Sequence, residues 1–273
     1  MKIDRDAPVG VFDSGVGGLT VAREIMRNLP SEKIVYFGDT ARVPYGNKSR
    51  ETIIRYSRQI IRFLLEQQVK AIVIACNTAS AFALDAVKDE LEIPVLGVIE
   101  PGAYVAAKET KNKRVGVIGT IGTVGSGIHE AVLKKLDPDI TVIGKACPLF
   151  VPLVEEGWLH DPVTKEVAKR YLGELKEKEI DTLILGCTHY PLLRSTIREV
   201  MGEGVRLVNP AYESALTLGR ILEKEGLSRT EGGREEFPYR FYVSDLADEF
   251  KSFANSILPY DVEMTQKIDI EKY

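Results

Sequence analysis

The stretch Ala71-Ile-Val-Ile-Ala-Cys-Asn-Thr78 decides the fold, and Thr182-Leu-Ile-Leu-Gly-Cys-Thr-His189 repeats it further along the chain. In both, an apolar run with β-branched residues leads into a small residue, a cysteine, and then hydroxyl or amide side chains. A short apolar run followed by helical spacing predicts a buried parallel strand that ends at a strand-to-helix turn. Ligands of open α/β sheets bind just beyond the carboxyl ends of such strands. We therefore expect Cys76 and Cys187 at equivalent strand ends, facing a ligand.

Two further strand-like segments also occur twice, in the same order and at one constant spacing. Val9-Gly-Val-Phe12 recurs as Val115-Gly-Val-Ile118, and Ile34-Val-Tyr-Phe37 has a looser counterpart in Ile140-Thr-Val-Ile143. Chance similarity among strands explains any single pair, but an ordered set favours two related halves. The alternation of strands and helices predicts an α/β protein of two pseudo-symmetric domains with mostly parallel sheets. The active site is then expected in the cleft between them.

The composition and net charge limit the classes of protein to which this chain can belong. Hydrophobic residues make up 44% and charged residues 28% of the 273 residues, which is typical of a globular protein. The net charge of −4 without a Lys/Arg cluster predicts no nucleic-acid partner. No signal peptide precedes the first strand and no apolar run reaches about 18 residues, so we expect no membrane association. Three cysteines suit reduced thiols, which predicts a cytoplasmic protein.

A glycine-rich turn, Asp13-Ser-Gly-Val-Gly-Gly18, follows the first predicted strand. It lacks the Gly-Lys-Ser/Thr of a Walker loop and the last glycine of a full GxGxxG motif. Its backbone N–H groups can bind a carboxylate or a phosphate, although a purely structural turn fits equally well. Asp13 favours a functional turn, because an acid just past a central strand is costly to bury unless it is solvated or paired.

Later segments hold weaker candidates. Pro44-Tyr-Gly46, in a long loop after the second strand, can present backbone groups and an aromatic lid to a ligand. The glycine-rich turn Gly119–Gly127 contains only one G-x-G, so a dinucleotide site has little support. Ile93–Ile99 predicts a strand, and Glu100-Pro-Gly102 predicts a crossover into the second half.

Three polar or reactive features are explained by a structural role alone. Cys147 beside Pro148 is typical of a buried packing residue. Glu155 and Glu156 predict a solvated helix end when they are considered alone. Residues 228–236 are polar and contain glycine, which predicts a surface loop or linker.

Four chemistries are compatible with two thiols at strand ends. Cys187 and His189 could act as a thiolate–imidazolium hydrolase or transferase, but an i, i+2 spacing in one turn is poor for a hydrogen-bonded pair. Cys76, Cys187, His189 and Asp13 could bind zinc, yet the C-x₂₋₄-C spacing is absent. Both thiols could be inert beside a metabolite that is bound and not converted. In the fourth, one thiol stands on each side of a substrate carbon.

The fourth arrangement inverts a stereocentre without a cofactor or a metal. One thiol removes a proton from one face of the carbon, and the other returns a proton to the opposite face. A thiol's ordinary pKa of ~8.5 leaves little thiolate at neutral pH, so Asp13 and His189 are expected to shift or relay protons. The site must also stabilise carbanion character through fixed donors aimed at a carboxylate. Asn77, Thr78 and Thr188 directly follow the cysteines and can supply those donors.

Several motifs together resemble bacterial glutamate racemases. They are Asp13-Ser-Gly-Val-Gly-Gly-Leu-Thr20, Gly38-Asp-Thr40, Pro44-Tyr-Gly46, Ala75-Cys-Asn-Thr78 and Leu185-Gly-Cys-Thr-His-Tyr-Pro191, and they span nearly the whole chain. Aspartate racemases share the two-cysteine layout, but the first and third motifs resemble the glutamate enzymes more closely. The resemblance implies cofactor-independent interconversion of L- and D-glutamate, which supplies D-glutamate for peptidoglycan. A related amino-acid racemase or a non-catalytic glutamate-binding protein remains the alternative.

The resemblance also implies roles for individual residues. Cys76 and Cys187 become the proton donors and acceptors, with Cys76 acting on D-glutamate and Cys187 on L-glutamate. Asp13 is expected nearer Cys76 and His189 nearer Cys187, and Glu155 changes from a surface acid to an assistant of Cys187. The expected substrate contacts are Asp13, Ser14, Pro44, Tyr45, Gly46, Asn77, Thr78, Thr120, Thr188 and His189. No metal ligand is expected.

The same resemblance implies a domain layout and an assembly. The second domain is inserted, which predicts residues 1–98 with 210–273 as the first domain and residues 99–209 as the second. Homodimers are common in the family, so a homodimer is expected. The chain begins almost at the first motif strand, so activation by a cell-wall precursor is not expected.

Overall fold

Two β-sheets form the frame of the protein, and every strand pairing among the described residues is parallel. The computed structural model describes residues 3–229 and 238–273. Most of the polar segment predicted as a surface loop, residues 230–236, lies outside these described residues. The strands are β1 (Val9–Asp13), β2 (Ile34–Gly38), β3 (Ala71–Ile74), β4 (Val95–Gly97), β5 (Arg114–Gly119), β6 (Thr141–Ala146), β7 (Thr182–Gly186), β8 (Arg206–Val208), β9 (Tyr239–Val243) and β10 (Thr265–Lys267).

Helices connect successive strands and cover the faces of both sheets. The α-helices are α1 (Leu19–Asn28), α2 (Arg50–Glu66), α3 (Asn77–Val87), α4 (Ile99–Glu109), α5 (Ile121–Gly125), α6 (Ile128–Leu136), α7 (Phe150–Glu155), α8 (Pro162–Glu177), α9 (Arg194–Met201), α10 (Pro210–Lys224) and α11 (Ala247–Ile257). Short 3₁₀ helices span Thr40–Arg42, Tyr45–Asn47, Lys88–Glu90, Tyr190–Leu193 and Ile270–Lys272. Polar side chains begin two of the longer helices: Ser49 accepts from the N–H of Thr52 at 3.3 Å, and Asp161 accepts from the N–H of Val163 at 2.7 Å.

The internal repeat predicted from the sequence is present in the topology. The first sheet has the strand order β10-β9-β2-β1-β3-β4, and the second has the order β6-β5-β7-β8. The run β2-β1-β3-β4 thus matches β6-β5-β7-β8 strand for strand, with the two cysteine stretches on β3 and β7. The predicted α/β fold of two related halves with parallel sheets is confirmed.

Two predicted connections are helical in the structure, and side-chain chemistry explains both. The segment Glu100-Pro-Gly102, predicted as the crossover into the second half, lies in α4, the helix that leads from β4 of the first sheet to β5 of the second. Pro101 fits there because the first turn of a helix has N–H groups without intrahelical acceptors, so a missing N–H costs little. The turn predicted at Gly119–Gly127 contains α5, because Thr120 caps it by accepting from the N–H of Thr123 at 3.1 Å. The strand predicted at Ile93–Ile99 is limited to β4.

Each sheet has an apolar core on both faces. In the second half, Cys147 is fully buried beside Phe150 and Tyr190, and the Tyr190 hydroxyl donates to the Cys147 carbonyl at 2.8 Å. Burial raises the pKa of the Cys147 thiol to about 12, which keeps it protonated. These contacts agree with the packing role predicted for Cys147.

His129 on α6 makes the stability of the second half sensitive to acid. The side chain is buried, and neither ring nitrogen has a hydrogen-bond partner among the described residues. Burial lowers the pKa of His129 to about 4, so between roughly pH 6.5 and pH 4 the unfolded chain binds a proton that the folded chain does not. We expect this group to remove about 2 kcal/mol of unfolding free energy between pH 7 and pH 5. Urea unfolding of wild type and His129→Phe at both pH values measures it, and an equal loss in both proteins would contradict this assignment.

Candidate functional site

A cavity of about 410 Å³ lies where the carboxyl ends of the strands of one sheet face those of the other. Its lining residues follow β1, β2 and β3 in the first half and β5, β6 and β7 in the second. They are Ser14, Gly15, Val43, Pro44, Tyr45, Gly46, Asn47, Cys76, Asn77, Thr78, Thr120, Ile121, Thr123, Pro148, Val151, Pro152, Glu155, Gly186, Cys187, Thr188 and His189. This is the position that the parallel-sheet argument predicts for a ligand.

The structure brings the predicted site residues together, with Asp13 as the exception. The other predicted residues all line the cavity, including both cysteines, Glu155 and Thr120. Asp13 is fully buried, does not line the cavity, and accepts from the N–H of Gly15 at 3.0 Å. Asp13 therefore lies behind the wall of the cavity. A direct contact with a ligand would require Asp13 to lie in that wall. Burial raises the pKa of Asp13, partly offset by the charge of His189 and by backbone N–H donors.

Cys76 lies at the first residue before α3, where its side chain caps the helix. Its Sγ accepts from the N–H of Ala79 at 3.5 Å and is hydrogen-bonded to Ser14. A helix N-terminus favours a thiolate, but burial and the nearby charge of Asp13 outweigh it and raise the pKa of Cys76 to about 12. Cys76 is therefore a neutral thiol at pH 7, able to donate a proton.

Cys187 has a different environment, formed by a chain of three side chains. The Cys187 Sγ lies 3.8 Å from His189 Nδ1, and His189 Nε2 lies 3.0 Å from Glu155 Oε1. The expectation that an i, i+2 spacing is poor for such a pair is wrong, because a tight turn after β7 bends the chain back. In that turn the N–H of Tyr190 donates to the Cys187 carbonyl at 3.1 Å.

This arrangement favours a protonated His189. Burial lowers the pKa of His189, but its hydrogen bonds and charge interactions with Cys187 and Glu155 outweigh burial and raise the pKa to about 10. The cavity thus presents a neutral thiol, Cys76, from one half and, from the other, the Cys187 sulfur beside a protonated His189.

The glycine-rich turn after β1 packs directly on the Cys187 turn. A Cβ atom at Gly17 would lie 2.3 Å from Thr188 Oγ1 and 2.5 Å from both Cε1 and Nδ1 of His189. The Thr20 hydroxyl donates across the same contact to the Thr188 carbonyl at 2.9 Å. The turn therefore has a packing function that the sequence analysis left open, since only glycine leaves room for the two side chains at residue 17.

The site also contains a residue that the sequence analysis missed. Thr123 forms a triangle of hydroxyl groups with Thr78 and Thr120, in which each pair of oxygens is 3.0 Å apart. Thr78 belongs to the first half and the other two belong to the second, so the triangle joins the halves at the cavity. Thr120-Ile-Gly-Thr123 lacks the Glu or Gln of a capping box, so no local pattern in the sequence marked Thr123.

Within residues 3–229 and 238–273, no group of three or more His, Cys, Asp or Glu side chains is arranged to hold a metal ion. Among the helices described for this chain, none combines the length and apolar character that crossing a bilayer requires.

Comparison of the sequence with known proteins identifies its family. The family model described as Asp/Glu/Hydantoin racemase matches residues 16–215. A glutamate racemase of Geobacter metallireducens is 51% identical over 250 residues, which cover 92% of this chain and 92% of that protein.

Solved structures show the same similarity in three dimensions. The glutamate racemase of Francisella tularensis, in complex with D-glutamate, has a TM-score of 0.91 at 39% identity, covering 98% of this chain and 100% of that one. The glutamate racemase of Thermus thermophilus, in complex with β-chloro-D-alanine, has a TM-score of 0.89 at 45% identity, covering 99% of this chain and 100% of that one. The chain therefore belongs to the Asp/Glu/hydantoin racemase family and groups within it with the glutamate racemases.

Proposed function

We propose that this isomerase interconverts L- and D-glutamate without a cofactor, by proton transfer at the α-carbon between Cys76 and Cys187. One observation carries the proposal: two thiols from opposite halves line the same cavity in unlike electrostatic environments. A substrate carbon held between them can lose a proton to one sulfur and gain a proton from the other, which inverts its configuration.

We propose that each thiol starts the reaction of one enantiomer, as the family resemblance implies. With L-glutamate bound, the Cys187 thiolate beside His189 takes the α-proton, and the Cys76 thiol donates its proton to the opposite face. The product is D-glutamate, with Cys187 protonated and Cys76 left as a thiolate. D-glutamate reacts in the reverse sense, starting from the Cys76 thiolate. Asp13, whose charge raises the pKa of Cys76, is proposed to help return that proton.

Donors around the cavity stabilise the carbanion that forms between the two transfers. We assign the α-carboxylate to Asn77, Thr78 and Thr188, which are adjacent to the two cysteines. We assign the side-chain carboxylate to Ser14 and to the backbone of residues 44–46. The Tyr45 hydroxyl donates to Asp39, so its side chain is already committed and the loop presents its backbone to the ligand.

We propose that the enzyme works in the cytoplasm as a homodimer and supplies D-glutamate for peptidoglycan. Its domains are taken as residues 1–98 with 210–273 and residues 99–209. These bounds are supported by the starts of α4 at Ile99 and α10 at Pro210.

A circular-dichroism assay with EDTA present tests the proposal. We expect L-glutamate to lose its optical activity and D-glutamate to do the same, while L-aspartate is unaffected. Loss of the signal from aspartate alone would favour an aspartate racemase. Binding of glutamate by calorimetry without any optical change would favour a non-catalytic binding protein, and loss of activity with EDTA would favour a metal-dependent enzyme.

Replacing Glu155 tests the chain that supports Cys187. In Glu155→Gln the carboxylate that favours the imidazolium is lost, so the pKa of His189 falls from its raised value. We expect the alkaline limb of the pH–rate profile for L-glutamate to move to lower pH. Glu156→Gln, one residue further along the chain, is the matched control. Equal profiles for Glu155→Gln and wild type would contradict a role for Glu155.

A further inference from the structure

We propose that Arg42 is a positioning residue that connects the substrate loop to the C-terminal segment, residues 270–273. Through Arg42, this segment tunes affinity for the substrate. The substrate loop is residues 39–47, which carry Pro44, Tyr45 and Gly46 into the cavity. The inference rests on the proposed function, in which this loop binds the side-chain carboxylate of glutamate.

The buried carboxylate of Asp39 holds the substrate loop in place. Asp39 is fully buried and accepts from the Tyr45 hydroxyl, from Ser244 Oγ at 2.9 Å and from Arg42 Nε at 2.8 Å. Its own N–H donates to the Asp13 carbonyl at 3.1 Å. Asp39 therefore fixes the loop to the ends of β1 and β9 and fixes the ring of Tyr45 beside the cavity.

Arg42 extends this network away from the cavity. Its side chain is only 9% exposed and lies over the Tyr56 ring, with Cζ 3.9 Å from the ring centre. Its Nη1 donates to Gln59 Oε1 at 2.6 Å and to Glu271 Oε1 at 3.0 Å. One planar guanidinium thus joins the loop, helix α2 and the C-terminus, which a lysine cannot do in the same geometry.

The C-terminal segment has its own anchor. Ile270 is buried in the same core cluster as Tyr45, and the Tyr273 ring packs on Phe63 of α2 with centroids 5.5 Å apart. Glu271 lies between these two anchors and is 69% exposed on its side chain. Its orientation toward Arg42 therefore follows from the docking of its neighbours, and its charge is accessible to a mutational test without disturbing the core.

Steady-state kinetics and calorimetry with D-glutamate test the inference. In the proposed function the loop binds a group remote from the reacting carbon, and it binds that group equally in the ground state and the transition state. We therefore expect Arg42→Met to raise KM and Kd by about tenfold or more with kcat within about threefold. Arg42→Lys restores part of the affinity. Glu271→Gln raises KM by about threefold, because an exposed ion pair contributes little.

A double variant and a control make the test decisive. If Glu271 acts through Arg42, the double variant Arg42→Met/Glu271→Gln has the KM of Arg42→Met alone. Arg58→Met is the matched control, since Arg58 lies on α2, the helix that Arg42 contacts, but pairs with exposed Glu90, so its replacement should leave KM unchanged. Unchanged KM and Kd in Arg42→Met, or additive effects in the double variant, would overturn the inference. A wild type that binds D-glutamate but does not racemise it would overturn the proposed function and leave the binding comparison valid.

Discussion

Replacing either Cys76 or Cys187 by serine lowers racemisation of glutamate by at least about a thousandfold, in both directions. A hydroxyl is a far weaker acid than a thiol, so it cannot hold the thiolate charge that each half of the reaction needs. Both thiols are required because each serves as acceptor for one enantiomer and donor for the other. The measurement is the initial rate of optical change from each enantiomer.

The two serine variants are expected to differ in one half-reaction. On a glutamate analogue with a leaving group on the β-carbon, Cys76→Ser retains Cys187 and still eliminates from the L-form, whereas Cys187→Ser still eliminates from the D-form. Cys147→Ser is the control, because Cys147 is buried in the core and does not line the cavity. Racemisation near the wild-type rate in either active-site variant would rule out the two-thiol assignment.

Gly17→Ala is expected to lower kcat/KM by about a hundredfold or more, although residue 17 carries no reactive group. The new methyl group would lie 2.3 Å from Thr188 Oγ1 and 2.5 Å from two atoms of the His189 ring. Such contacts are too short to persist, so the turn that carries Cys187, Thr188 and His189 must shift. A displacement of about 1 Å is enough to misalign the sulfur with the α-proton.

A second glycine provides the matched control for this prediction. A Cβ atom at Gly173, inside α8, meets no atom within 4 Å, so Gly173→Ala should leave kcat/KM unchanged. We expect Gly17→Ala to lose activity because the site is misaligned and not because the protein unfolds. A thermal unfolding midpoint equal to that of wild type checks this. Wild-type kcat/KM in Gly17→Ala would show that the two turns are not held by this contact.

Much of the fold was accessible to sequence analysis, because local patterns determine it. Apolar runs that end in a cysteine marked β3 and β7, and parallel pairing then places both strand ends at the same side of their sheets. The ordered repeat predicted two halves with the same strand order. The boundaries of α4 and α5 were missed, since a proline in a first turn and a capping threonine both resemble turn signals.

The contacts between distant residues could not be predicted in the same way. The proximity of His189 to Cys187 depends on how tightly one turn bends, and the position of Asp13 behind the wall depends on the path of Gly15. The network of Asp39 and Arg42 joins a loop to residue 271, and no local pattern predicts that pairing. Tertiary packing decides all of these.

Isotope labelling during the first turnovers in D₂O tests the two-thiol mechanism most directly. L-glutamate is mixed with wild-type enzyme, and the deuterium content at the α-carbon of both enantiomers is measured by mass spectrometry after chiral separation. If Cys76 and Cys187 act as two separate acids, the D-glutamate that forms carries deuterium from the start, while the remaining L-glutamate keeps its protium. Equal early labelling of both enantiomers would mean that one base serves both faces, and would contradict a carbon held between Cys76 and Cys187.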